Sequence, residues 1–258
     1  MREGPAGRLA ALSHRALRYA AALQVPDATY LTGRLYRYHS LPATTALRRR
    51  LPGPEAVARA LDADRSGRAA PPLQRGEDRV MFDAGPAIWR TWDHPDRGDP
   101  ASSGWRPKLY VSPMLEGLGE SVRALLDLFH HAHGPYSVKA GRDLPGILRP
   151  DKLVAYFHTT DDLFESAASL RRTLSGLRVH GVPFSAQLDD DGLLSWGADP
   201  PSSVDGPSWR ALIANAAAAT MATALEEGDP DPVQAGLDGI ARVGVDVGDW
   251  TPTALRPG

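Results

Sequence analysis

Between residues 105 and 188 the apolar positions switch repeatedly between a period of two and a period near 3.6. Lys108-Leu109-Tyr110-Val111-Ser112 alternates, which predicts a strand with Lys108, Tyr110 and Ser112 on one face and Leu109 and Val111 turned to the core. Leu118, Val122, Leu125, Leu126 and Phe129 then recur at helical spacing, an amphipathic helix over 116–131 that Gly134-Pro135 stops. Tyr136 to Ala140 predicts a second strand, and Lys152 to His158, with Leu153, Val154, Tyr156 and Phe157, a third. Leu163, Phe164, Ala167, Leu170 and Leu174 give a second amphipathic helix over 161–177, capped by Thr160 or Asp161. Val182 to Leu188 predicts a fourth strand. The order β-α-β, β-α-β implies an α+β fold, either ferredoxin-like with split βαβ units or a related βαβ-βαβ sandwich.

Helical patterns flank this core. Leu9, Leu12, Ala16, Leu17 and Ala20 predict a helix over 6–24 ended by Pro26, and 29–38 reads as a short helix or an extended arm. Pro54 opens another short helix to Ala63, and 64–76 has loop composition. Val80-Met81-Phe82 and Ala87-Ile88-Trp89, separated by Gly85-Pro86, suggest a hairpin or two short strands; 93–104 has exposed-loop composition. Residues 189–206 read as an acidic, proline-rich loop around Leu193-Leu194-Ser195-Trp196, and helices are predicted over 208–226 and 233–243. The expected organisation is a helical N-terminal module (1–76), an α+β core (77–206) and C-terminal helices packed on it (207–258).

Composition narrows the function classes. The chain has 258 residues, 42% hydrophobic and 23% charged, values ordinary for a globular protein. A net charge of −2 carries no basic excess of the kind nucleic-acid binding requires. With no cysteine, thiolate catalysis, disulfide frameworks and cysteine-ligated zinc are excluded. No apolar run approaches the ~18 residues that span a bilayer, so a cytoplasmic protein without membrane partners is expected.

The candidate chemistry is basic. Lys108 and Lys139 each interrupt an apolar strand, and burial near other cations would lower a lysine's pKa and make it a usable base. Arg142, Arg149 and Lys152 follow on the adjoining loop and strand, and positive groups there suit an anionic phosphoester or carboxylate. A water-facing strand lysine and a plain Arg149-Pro150-Asp151 turn are the competing structural readings. His130, His131 and His133 sit at a helix end without a carboxylate at zinc-binding spacing, so interaction with the helix C-terminus explains them better than a metal. His158 stands as an outside candidate acid. Asp189-Asp190-Asp191-Gly192 lacks EF-hand spacing, and phosphate-binding glycine loops and a Gly-x-Ser-x-Gly elbow are absent. Neither metal nor cofactor is expected.

Three segments carry a resemblance: Lys-Leu-Tyr-Val-Ser at 108–112, Pro-Tyr-Ser-Val-Lys at 135–139 and Arg-Pro-Asp-Lys-Leu-Val-Ala-Tyr at 149–156. Together they resemble the phosphothreonine/phosphoserine lyase superfamily. It includes type III secreted effectors, the lyase domains of class III and IV lanthipeptide synthetases, and HopA-type proteins associated with thioamitide and class V lanthipeptide pathways. The resemblance spans roughly 105–188 and extends loosely into 192–201 and the helix from Ser208. It implies a metal-free β-elimination that leaves dehydroalanine or dehydrobutyrine in a precursor (leader-core) peptide. By match, Lys139 would take the Cα proton, Lys108 would stabilise the enolate, and Tyr110 would protonate the departing phosphate. Arg142 and Arg149, with Ser112 and Lys152 beside them, would hold the phosphate. Position 110 is a departure, since these lyases place histidine there. The segment 189–201 is a second, acidic where lanthipeptide lyase domains carry phosphate-binding arginines. A separate kinase, and a cyclase, are the implied partner proteins. Two other readings stand beside this one: a non-catalytic protein that binds a precursor peptide or partner enzyme, and a different enzyme using the basic face for another anion.

Overall fold

The computed structural model describes residues 7–62, 89–94, 96–97, 104–201 and 207–255. The loop expected over 64–76 and the run Val80-Met81-Phe82 lie outside the described residues. Six strands form one sheet: β1 (Trp89–Asp93), β2 (Arg106–Val111), β3 (Ser137–Gly141), β4 (Leu153–Tyr156), β5 (Ala186–Gln187) and β6 (Leu194–Asp199). They lie in the order β1-β3-β4-β2-β6-β5, and every neighbouring pair is antiparallel. The helices are α1 (Gly7–Ala22), α2 (Ala28–Tyr36), α3 (Thr45–Arg50), α4 (Pro54–Asp62), α5 (Leu118–Asp127), α6 (Leu144–Ile147), α7 (Thr160–Thr173), α8 (Trp209–Glu226) and α9 (Pro232–Arg242). The class is α+β, with the connections β2-α5-β3 and β4-α7-β5-β6. In the sheet β4 separates β2 from β3, and β2 separates β4 from β6.

Strand alternation gives the sheet two faces of different character. On one, Leu109, Val111, Val138, Ala140, Leu153, Ala155 and Trp196 pack against Val122 and Leu125 of α5 and Leu163, Ala167 and Leu170 of α7. Leu125 is fully buried, so truncation to alanine should cost ~2–5 kcal/mol. On the other face, Tyr110 and Val154 meet α1, α2, α8 and α9 through Leu17, Leu31, Leu35, Ile213, Met221 and Ile240. The first and last helices of the described chain thus roof the polar side of the sheet together. Helix α8 is alanine-rich and apolar on several sides because it lies between the sheet, α2 and α9.

Local chemistry sets the boundaries. Helix α7 starts one residue earlier than expected because the Thr159 side chain, not Thr160 or Asp161, accepts the Asp162 N–H at 3.1 Å. Asp27 caps α2 and resolves that segment as a helix, and Asp231 caps α9 with Pro232 in its first turn. The expected fourth strand is corrected. Only Ala186–Gln187 pairs within 182–188, because Pro183 and Phe184 (φ 65°) turn the chain into the roof. The strand that closes the core is β6, inside the stretch expected to be a loop. Its Gly197 is required, since a Cβ there would stand 2.3 Å from Cδ1 of Trp209, the first residue of α8.

Candidate functional site

The roofed face collects the polar side chains. Pairing aligns Lys108 with Tyr156 and Tyr156 with Ser137; one step along, it aligns Tyr110 with Val154 and Lys139, and Lys139 with Thr91. Directly paired residues point to the same face, so Lys108, Tyr110, Lys139 and Tyr156 form one patch across β2, β4 and β3. The Tyr156 ring joins the lysines: Lys139 Nζ stands 4.9 Å from its centroid and Lys108 Nζ 5.8 Å. Lys108 also lies 5.4 Å from the Tyr110 ring. Tyr136 extends the aromatic wall, with its ring 6.0 Å from Tyr156 and 5.0 Å from His158.

Burial sets the protonation of this patch. Lys139 is half-buried, and loss of hydration pulls its pKa down to about 8, against the upward effect of the Asp199 carboxylate. Lys108 is 3% exposed and forms an ion pair with Asp199. Asp199 also accepts the backbone N–H of Trp209 at 2.6 Å, placing its negative charge at the N-terminus of α8, where the helix dipole favours it. Arg106 stands 3.9 Å from the other Asp199 oxygen. Burial raises the phenol pKa of Tyr110 and of Tyr156 well above the ordinary value, and Asp199 adds to both effects. Tyr110 is 1% exposed and its hydroxyl has no hydrogen-bond partner among the described residues, whereas Tyr156 is half-buried.

The expected phosphate-binding residues lie elsewhere. The Arg149 guanidinium donates to both Asp151 oxygens, at 2.8 and 2.9 Å, and to the Tyr36 hydroxyl at 2.8 Å. Arg210 closes on Asp151 at 2.8 Å, so the carboxylate lies between two guanidinium groups that hold its pKa well below the usual range. Lys152 is fully buried, donating to the Pro113 carbonyl at 2.9 Å and lying 2.7 Å from His180 Nδ1. Burial lowers its pKa to about 7. The Ser112 hydroxyl donates to the Pro150 carbonyl at 2.6 Å and is buried. Arg142 is half-buried, one residue past β3. The structure therefore brings Lys108, Tyr110 and Lys139 together and ties Ser112, Arg149 and Lys152 into the framework. His133 pairs with Asp162 at 2.9 Å, a contact between α7 and the turn that follows the α5 segment.

Two members of the patch were not singled out by sequence. Asp199 lies 91 residues from Lys108 in an acidic, proline-flanked stretch, and nothing local marks it as the counter-charge. Tyr156 ended the third motif, but its place between the lysines depends on strand register.

Among solved structures, the effector protein from Pseudomonas syringae pv. tomato strain DC3000 superposes with a TM-score of 0.55 at 14% identity, over 97% of this chain and 100% of that one. The effector from P. syringae pv. syringae strain 61 gives 0.54 at 14% identity, covering 96% and 97%. The fold is that of these effector proteins. At this identity the likeness concerns the fold alone. It extends over the helices of the roof as well as the sheet, because both chains are covered almost end to end. A superposition on a phosphothreonine lyase itself, with a TM-score of 0.35 at 10% identity over 74% of this chain and 91% of that one, is too loose to carry weight. No family model and no curated protein matches the sequence. Among the described residues no helix is long and apolar enough to cross a membrane.

Proposed function

We propose that this chain is a lyase-like enzyme that eliminates phosphate from phosphorylated serine or threonine in a precursor peptide, forming dehydroamino acids in ribosomal-peptide natural-product biosynthesis. The supporting observation is Lys139, half-buried, with its pKa lowered to about 8 and sharing one aromatic ring with the ion-paired Lys108. In this reading the neutral Lys139 amine takes the Cα proton. The electron pair released forms the Cα=Cβ bond, the Cβ–O bond breaks, and phosphate leaves with the bonding pair. Lys108, fixed by Asp199, lies where negative charge develops on the enolate. Tyr110, the acid expected by motif, lies under the roof, and the half-buried Tyr156 is better placed to donate to the leaving group. We read the scaffold of β2-α5-β3 and β4-α7-β5-β6 as a ferredoxin-like centre. A separate kinase would supply the phosphopeptide and a cyclase would consume the product.

One set of contacts favours the second reading, a non-catalytic peptide- or enzyme-binding partner. Tyr110 is sealed, and Arg149 and Lys152 are engaged within the fold. Mass spectrometry of a phosphothreonine-containing precursor peptide separates the two. Elimination predicts loss of phosphoric acid with wild type and none with Lys139→Ala, while both proteins bind the peptide. Recovery of intact phosphopeptide from wild type under conditions where binding is measured would leave only the binding reading.

A further inference from the structure

The charge of this chain is unevenly placed. Residues 7–53 hold eight arginines and one acidic residue, Asp27, in a protein whose net charge is −2. Outside that segment 21 basic residues face 30 acidic ones, from totals of 29 and 31. The arginines are not spread evenly over a solvated surface. Arg34 and Arg37 of the α2 segment border a cleft of about 190 Å³ lined also by Tyr19, Tyr38, His39 and Ser40.

The cleft is built from rings and cations. The Tyr19 and Tyr38 rings are 5.3 Å apart and those of His39 and His180 4.7 Å. Arg34 lies 5.3 Å from the Tyr19 ring, donates to its hydroxyl, and stands 6.0 Å from the ring of Tyr30, which is 44% exposed. His39 adopts φ 69°, a strained backbone for a non-glycine residue, held by a reciprocal pair of bonds in which each ring meets the other residue's carbonyl, at 3.0 and 2.6 Å. Burial lowers the pKa of His39, and the charges of Arg15, Arg8 and Lys152 lower it further. Among the described residues no carboxylate pairs with Arg15, Arg34 or Arg37. Arg8, which donates to the Asp191 and Val179 carbonyls, and Arg15 lie on α1 outside the cleft lining, so Arg34 and Arg37 are the cations that border it.

We propose that this cleft between α1 and the end of α2 is a binding site for an acidic peptide segment, with carboxylates on Arg34 and Arg37 and apolar side chains on the Tyr19–Tyr38 wall. A long polyanion such as single-stranded nucleic acid fits less well. Screening confines the positive field to within ~8 Å at physiological salt, and outside 7–53 the sequence holds 30 acidic residues against 21 basic ones. The Tyr19 and Tyr38 rings already face each other rather than standing open for bases. The site is independent of the lyase reading, since it needs no chemistry at Lys139.

The test uses the full chain and a fluorescein-labelled hexaglutamate peptide, read by fluorescence anisotropy at low salt. Arg34→Glu with Arg37→Glu is expected to weaken binding at least about tenfold. Arg49→Glu with Arg50→Glu, the same charge change on the exposed α3, should stay within about threefold. Circular dichroism checks that both variants are folded, and Lys139→Ala should bind as wild type does. Undiminished binding by the Arg34/Arg37 variant, an equal loss in the Arg49/Arg50 variant, or no measurable binding by wild type overturns the proposal. So does displacement of the peptide by an oligothymidylate or by inorganic phosphate at lower concentration than by unlabelled hexaglutamate.

Discussion

Asp199→Asn is the most informative single change, because one carboxylate serves both lysines. Asp199 is 3% exposed and pairs with Lys108, also 3% exposed, while accepting the Trp209 N–H at 2.6 Å. An asparagine carbonyl can still accept that N–H, so the loss is mainly the charge. Breaking a buried ion pair by removing one partner costs ~3–5 kcal/mol, since the remaining ion stays desolvated. For a domain of this size each kcal/mol moves Tm by ~2–4 °C, so thermal unfolding followed by circular dichroism should fall by roughly 10 °C. Lys108→Met combined with Asp199→Asn removes both ions, keeps an acceptor for the Trp209 N–H and should recover most of that loss. The single substitution also removes the charge that holds the Lys139 pKa up, so that pKa should drop below about 8 and the alkaline rise in elimination rate should move to lower pH. An Asp199→Asn protein within ~1 kcal/mol of wild type, with the double variant no more stable, would refute the buried-pair account of this face.

Other outcomes follow from the same geometry. Lys139 acts as a base only when neutral, and with a pKa of about 8 its neutral fraction rises from ~10% at pH 7 to ~90% at pH 9, so kcat/KM at low peptide concentration should climb nearly tenfold over that range. A flat profile would remove Lys139 as the base. Lys152 has a folded pKa of about 7 against 10.5 unfolded. Between those values the unfolded chain holds the extra proton, so urea-measured stability should rise with pH from about 7 towards 10, and Lys152→Met should flatten the slope. Gly197→Ala would press a methyl into the Trp209 indole and should cost ~1–3 kcal/mol by overpacking. An alanine variant as stable as wild type would mean that α8 docks differently on β6.

The core strands and helices were legible because each has a one-sided apolar pattern. Strand β2, helix α5, strands β3 and β4 and helix α7 lie within the predicted segments, give or take a residue or two at their ends, and Leu109 and Val111 face the core as their alternation requires. The fourth strand was misplaced because two signals conflicted. Val182 to Leu188 is apolar but carries Pro183, while β6 alternates correctly, with Leu194, Trp196 and Ala198 buried, between an aspartate turn and Pro200-Pro201. Helix α3, with Arg48, Arg49 and Arg50 and no buried residue, has no apolar stripe to read. The lysine pair was legible because a charge inside an apolar strand stands out. Asp199, Arg210 and Tyr36 were not, since their partners lie 91, 59 and 113 residues away and only the closed fold joins them.

Tyrosine at position 110 and its burial belong to one electrostatic arrangement. The residue stands under α8, 5.4 Å from the Lys108 ammonium and within the field of Arg210. A histidine there would be fully buried, and loss of hydration strips an imidazolium of its proton; the Arg210 charge adds to that, while the Asp199 and Asp151 carboxylates oppose it. Tyrosine offers Lys108 a ring face and keeps its phenol proton at any physiological pH. Lys108 then lies against two rings and one carboxylate, a balanced setting for a buried ammonium that needs no contact with solvent. The consequence is a shift in where the patch meets a substrate. The roof seals the β2 side, and the approachable groups are the half-buried Lys139 and Tyr156 on β3 and β4. In the proposed elimination the base and the donor would therefore lie on adjacent strands, with Lys108 behind them as a fixed charge.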